Sequence, residues 1–179
     1  LFDVLRVEQP ESMASGLSRF LADFAETIER NHDTIAGVIL EPLVQGAGGM
    51  IVWPREAVQK IEEICRRFQV LLIFDEVMTG FGRTGSLFAM DQLGICPDLL
   101  CLSKGLTGGA LPLAVTMVSE DVYSAFLSDE KSKMLFHGHS FTGNPIACAA
   151  AVANIGIFSE EHTLDRIRKI EEMNQDQLA

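Results

Sequence analysis

No stretch of this chain approaches the roughly 18 consecutive apolar residues that a membrane-spanning helix needs. Positive charge is scarce as well. Fourteen Lys and Arg stand against 25 Asp and Glu, a formal net charge of −11. Binding nucleic acid requires a basic face, so the charge argues against a polyanion partner. There is no CxxC pair among Cys65, Cys96, Cys101 and Cys148. These four are expected to be reduced, mostly buried thiols. With no signal-peptide pattern in the opening residues, they set the expectation of a cytoplasmic protein. Internal repeats and low-complexity tracts are missing. What remains is 179 residues, 47% hydrophobic and 22% charged, the composition of a folded domain rather than a disordered one. That length fits one domain or a piece of a larger one. The first residue is Leu1 and the first methionine Met13, so a fragment is expected.

Hydrophobic periodicity sets out the elements. Residues 1–16 show no clear period. Leu17, Phe20, Leu21, Phe24, Ala25 and Ile28 recur at i, i+3, i+4, the spacing of an amphipathic helix. Ile35 to Leu40 is a short apolar run followed by Glu41-Pro42 and by Gly46, Gly48 and Gly49, read as a buried strand and a glycine-rich loop. Pro54 opens a second helix, with Val58, Ile61, Ile64, Cys65 and Phe68 on one face. Val70 to Phe74 is apolar at every position, as a parallel strand covered by helices should be. Leu99 to Leu102 and Leu113 to Val118 are two further strands. Asn144 to Phe158 reads as an Ala-rich helix with Pro145 in its first turn, and Glu160 to Gln177 as a charged helix. Strands alternating with helices predict an α/β layer fold with a mostly parallel sheet. Ligands of such sheets bind beyond the carboxyl ends of the strands.

Two chemistry-bearing groups stand at such ends. Asp75 and Glu76 directly follow Val70–Phe74. Burying a carboxylate there is costly unless strong donors or a cation meet it; the alternative is a helix cap or a turn. Lys104 follows Leu99–Leu102, 29 residues after Asp75, and of the five lysines it alone lies between an apolar strand and a glycine-rich segment. It reads either as a snorkelling surface lysine or as a half-buried amine available to an aldehyde. An amine for an aldehyde, with a carboxylate for a protonated pyridine nitrogen, meets two requirements of pyridoxal phosphate. The third is a phosphate cradle. His137-Gly-His-Ser-Phe-Thr-Gly-Asn-Pro145 offers hydroxyls, glycines and a helix start, suited to an anion or simply to an N-cap. The two histidines have no carboxylate or cysteine at a helical metal spacing, which argues against a metal. Gly80-Phe-Gly-Arg-Thr-Gly85 fits neither a Rossmann fingerprint nor a P-loop; Arg83 within it could bind a carboxylate or brace the loop.

Four motifs in order carry a resemblance. They are Glu41-Pro-Leu-Val-Gln-Gly-Ala-Gly-Gly49, Phe74-Asp-Glu-Val-Met-Thr-Gly-Phe-Gly-Arg-Thr-Gly85, Pro97-Asp-Leu-Leu-Cys-Leu-Ser-Lys-Gly105 and the 137–145 stretch. From about Ile35 to Phe158 the chain resembles the class III pyridoxal-phosphate aminotransferases of fold type I. Leu106-Thr-Gly-Gly-Ala-Leu-Pro-Leu-Ala114 and the wording of 137–145 are most similar to a branch that draws its amino group from S-adenosylmethionine in biotin biosynthesis. The resemblance implies that Lys104 bonds to the cofactor aldehyde and shuttles a proton, and that Asp75 partners the pyridine nitrogen. It implies that Val77 packs on one ring face, and that Ser140 and the backbone of His139 contact the phosphate held by the other subunit of a homodimer. It places Gly138 and Arg83 beside the substrate, an amino donor or a keto acid. Met78 departs from the family, many members of which have Gln there. The family's Ser-Gly phosphate loop and substrate-side aromatics are expected upstream of residue 1, and its small C-terminal domain beyond Ala179. Residues 1–179 are thus expected to be a partial cofactor-binding large domain.

Overall fold

The computed structural model describes residues 3–9 and 13–178. The elements run α1 (Met13–Asn31), β1 (Gly37–Leu40), β2 (Val44–Gln45), β3 (Ile51–Val52), α2 (Arg55–Arg67), β4 (Leu71–Asp75), α3 (Ala89–Leu93), β5 (Leu99–Leu102), β6 (Val115–Val118), α4 (Glu120–Ser124), α5 (Pro145–Glu160) and α6 (Thr163–Leu178), with single 3-10 turns at Lys104–Thr107 and Lys131–Lys133. The main sheet has the order β1-β4-β5-β6. β1, β4 and β5 are parallel, and β6 closes one edge antiparallel to β5. The expected α/β architecture with a mostly parallel sheet is what the chain forms. The Gly46–Gly49 loop proves to be the turn of a short β2–β3 hairpin.

Period-2 alternation on β4 and β5 decides which side is core. Leu72, Phe74, Leu100 and Leu102 are buried, while Leu71, Ile73, Leu99 and Cys101 are half-buried on the opposite face. The buried side chains meet Phe20, Phe24 and Ile28 of α1 and Ala57, Val58, Ile61, Ile64 and Cys65 of α2 in one cluster. On the opposite face Ile39 is 63% exposed and Val118 40%. Helix α1 begins four residues earlier than its apolar stripe, at Met13. Helix α5 is apolar on all sides, yet only Ala147 and Ala151 are buried, and Ile146, Val152 and Ile155 are exposed. The thiols differ from expectation. Cys65 is buried, Cys101 is intermediate, and Cys96 and Cys148 are exposed. Cys96 lies in the connection before β5, and Cys148 on the uncovered side of α5. None of the four is bonded to another. No helix among the described residues is long and apolar enough to cross a membrane.

Asp98 ties the sheet together at the amino ends of β4 and β5. Its carboxylate accepts from the Leu72 amide at 2.7 Å and from the Arg66 guanidinium at 2.8 and 3.0 Å. Its own amide donates to the Leu72 carbonyl at 2.9 Å, and its carbonyl accepts from Ser119 beyond β6 at 2.8 Å. Arg66 is 43% exposed and Asp98 14%, so solvent screens the ion pair more than the amide contact. In the complete protein, Asp98→Ala should therefore lower unfolding stability by roughly 1–3 kcal/mol, the cost of an orphaned buried donor. Arg66→Ala should cost less than about 1 kcal/mol. Urea denaturation midpoints separate the two; equal losses would mean that the ion pair, and not the Leu72 amide, carries the effect.

Candidate active site

β4 and β5 are parallel neighbours with Asp75 opposite Cys101. The chain after β4 and the turn after β5 therefore leave the sheet side by side, at its carboxyl edge. Three further residues carry β5's strand on to Lys104.

The two adjacent carboxylates divide their labour. Glu76 continues the buried row of Leu72 and Phe74 and has 0% exposure. Its oxygens accept from the amides of Ala89 at 2.6 Å and Met90 at 2.8 Å, and from the Thr79 hydroxyl at 3.3 Å. It thus satisfies the first amides of α3, the cap reading. Burial pushes its carboxyl above the ordinary value near 4.5, against the pull of those hydrogen bonds. Asp75 falls on the opposite side of the pleat. One of its oxygens accepts from the Val77 amide at 3.0 Å; the other has no partner among the described residues.

Residues 77–88 loop from Asp75 to α3 and reach the lysine turn on the way. Phe81, at φ 59°, packs edge-on against Phe88 at 5.5 Å between ring centres and tilted against Phe158 of α5 at 6.2 Å. A side chain at Gly105 would put its Cβ 2.7 Å from the Cβ of Phe81, so only glycine lets the lysine turn approach. Val77 and Met78 are half-buried. Met78 packs against Gly46, whose amide donates to Glu41 at 2.9 Å.

Lys104 opens the 3-10 turn at φ 42°, in the left-handed region. A non-glycine residue is held there only when its surroundings over-determine it, and such outliers gather at functional sites. Of the two readings of Lys104, the structure gives the surface position: Lys104 is exposed, because the turn carries it off the sheet and clear of the core. Its Nζ has no ion-pair or hydrogen-bond partner among the described residues.

The remaining sequence-predicted residues lie elsewhere. His137, Gly138, His139 and Ser140 are exposed. Their loop is braced internally: the His139 amide donates to the Thr142 hydroxyl at 2.8 Å and the Phe141 amide to His139 Nδ1 at 3.1 Å. Asn144 caps α5 by accepting from the amides of Ile146 and Ala147. Ser140 Oγ has no partner, and no hydrogen bond or ion pair joins this loop to Asp75 or Lys104, among the described residues. Arg83 is exposed and borders a groove lined by Ile167, Ile170 and Glu171 of α6. Asp75, Val77 and Lys104 thus share the carboxyl edge, while Arg83 and residues 137–140 do not join them within this chain. Sequence reasoning missed the contact of Phe81 with the lysine turn, and Asn154 of α5, whose amide donates to the Gly105 and Leu106 carbonyls. The legible signal for Asn154 was a lone amide in an otherwise apolar helix.

A family model described as Aminotransferase class-III matches residues 3–179. The adenosylmethionine-8-amino-7-oxononanoate aminotransferase of Geobacter sulfurreducens is 46% identical over 148 residues, covering 82% of this chain and 33% of the relative. The solved structure of the enzyme of that name from Methanocaldococcus jannaschii is 40% identical with a TM-score of 0.82, over 88% of this chain and 37% of that one. An (S)-enantioselective omega-transaminase from Thermomicrobium roseum is also 40% identical, with a TM-score of 0.77, over 84% and 33%. The chain spans about a third of the length of the curated relatives it matches.

Glu76 gives a pH test of its buried setting. A carboxyl that holds its proton more tightly folded than unfolded lends stability fully below its unfolded value and loses it as pH rises through the folded one. Glutamine cannot titrate. The stability of the natural chain relative to Glu76→Gln should therefore decline as pH rises from about 4.5. Urea midpoints of both proteins across that range check it; a difference that stays flat or widens with rising pH would contradict a carboxyl raised by its burial.

Proposed function

The chain belongs to the class III aminotransferase family, and from that premise we propose that it is the central part of the large domain of a pyridoxal-phosphate-dependent transaminase that binds its cofactor through Lys104 and Asp75. One observation carries the reading: an amine and a carboxylate oxygen, both without a partner among the described residues, leave adjacent parallel strands at the same sheet edge. The donor set fits the group. Asp75 can accept from a protonated ring nitrogen, which Glu76 cannot, since its oxygens already serve Ala89, Met90 and Thr79. Among the described residues Lys104 has no competing partner to displace.

Pyridoxal phosphate, when bound, supplies an electron sink and a carrier for the amino group. The chain's own residues do the rest. Lys104 Nζ would hold the cofactor at its aldehyde carbon and, as a free amine, would take the proton from the donor's amino-bearing carbon. The unclaimed oxygen of Asp75 would accept from the ring nitrogen and hold the proton there, which favours electron withdrawal. The Val77 amide orients Asp75, and the Val77 side chain is suited to pack on a ring face.

The exposed 137–144 loop suits a site outside its own chain. The complete protein is then a homodimer, in which His139 and Ser140 bind the phosphate of the partner's cofactor, with Gly138 and Arg83 beside the substrate. The names of the relatives support amino transfer from S-adenosylmethionine to 8-amino-7-oxononanoate, a step of biotin synthesis. Such an enzyme works in the cytoplasm, where the four unpaired cysteines stay reduced. The Thermomicrobium roseum similarity at equal identity favours a second reading, an omega-amino transaminase; turnover with S-adenosylmethionine as donor separates the two.

The test is made on the complete protein. Borohydride reduction in the presence of pyridoxal phosphate, followed by peptide mass mapping, should add the cofactor mass to Lys104, and Lys104→Ala should carry none and transfer no amino group. Asp75→Asn should fold normally but turn over roughly a hundredfold or more slowly, having lost a charged contact made in the transition state. Label on another lysine would sink the assignment of Lys104, and an Asp75→Asn enzyme within a few-fold of normal would make that residue structural.

A further inference from the structure

We propose that Asn154 is a positioning residue that fixes the backbone of the Lys104 turn from outside, an inference that extends the cofactor reading above. Asn154 stands alone in its helix: between Pro145 and Phe158 the other side chains are apolar, apart from the Cys148 thiol. Its one amide nitrogen donates to two successive carbonyls of the turn, Gly105 at 2.8 Å and Leu106 at 3.1 Å. A single 3-10 turn cannot satisfy its last carbonyls internally; of these two, among the described residues, the Gly105 carbonyl alone has a second donor, the Gly108 amide at 3.1 Å. Asn154 therefore caps the turn from a different element, 48 and 49 residues away in sequence.

The turn is held on three sides. Phe81 lies against Gly105 with room for no side chain. Gly108, at φ 60°, sits so close to Asn154 that a Cβ would come within 2.9 Å of Oδ1. Ser103 Oγ donates to the Leu113 carbonyl at 2.7 Å and holds the entry to the turn. Left-handed backbone at Lys104 persists only while these constraints hold. Of the three, only Asn154 grips the carbonyls of the turn itself. Without it Lys104 can relax toward the right-handed region, and the long side chain then starts from a different direction. A displacement of about 1 Å at a reacting group can cost on the order of a hundredfold in rate.

The experiment compares the complete natural protein with Asn154→Asp, which keeps the volume but loses both donors, and with Gly108→Ala, which strains the same contact from the other side. Hydrogen exchange is followed first in cofactor-free protein. In both variants the amides of Leu106 and Gly108 should exchange about tenfold faster or more, with amides of Val152 to Ile155 unchanged. The rate at which pyridoxal phosphate becomes trappable on Lys104 by borohydride should fall by a similar factor, while the thermal midpoint of at least one variant stays near normal. Exchange and trapping both within twofold of normal would overturn the proposal. So would faster exchange spread evenly along α5, which would make Asn154 part of the helix packing only. Locally faster exchange in the variants, with no cofactor trapped on Lys104 even in the natural protein, would support the hold on the turn and overturn the cofactor reading instead.

Discussion

The buried carboxylate of Glu76 is the fixed point from which the carboxyl edge of the sheet is laid out. An unpaired charge at that depth would cost several kcal/mol, so three donors must be brought to it. Two are the first amides of α3, thirteen and fourteen residues downstream. Closing that connection folds residues 77–88 back over the strand ends, and it sets Phe81 against Gly105. The pleat does the rest. Leu72, Phe74 and Glu76 point one way into the core, so Asp75 points the other way with an oxygen unclaimed. Two neighbouring carboxylates thereby acquire different tasks from one structural rule.

The lysine turn depends on the same layout at one remove. β5 lies beside β4 in register, and its continuation is trapped between the Phe81 loop and α5. Helix α5 also begins at the Asn144 cap, where the exposed 137–144 loop ends. One rigid element therefore touches the turn of its own chain and orients the loop that, in the proposed dimer, serves the partner. A helix apolar on all sides is ordinarily enclosed; the exposed Ile146, Val152 and Ile155 are the surface such a dimer would cover.

Much of this was legible in the residues. The apolar run at 99–102 is β5 and that at 70–74 overlaps β4, because a strand inside a parallel sheet needs no polar alternation. Asp75 and Lys104 were found by their place just past those runs. The split between Asp75 and Glu76 was not legible, since it depends on which side of the pleat meets α3. Exposure of Lys104 stayed open between two readings because flanking hydrophobicity says nothing about a turn that leaves the sheet. Cys96 and Cys148 were misread for a similar reason: their burial is set by what packs over a connection and over one side of α5. The β2–β3 hairpin hid behind glycines that read as loop, its strands being two residues each. The fold family was carried by motif order, which no single spacing would have supplied.

The central claim is that Asp75 and Lys104, and not Glu76 or another lysine, define one cofactor site at the ends of β4 and β5. A crystal structure of the complete protein grown with pyridoxal phosphate tests it most directly. The account predicts continuous density from Lys104 Nζ to the cofactor, with the unclaimed oxygen of Asp75 about 2.6–3.2 Å from the ring nitrogen and Glu76 still capping α3. A ring nitrogen facing any other group, or a cofactor bound away from this sheet edge, would contradict it.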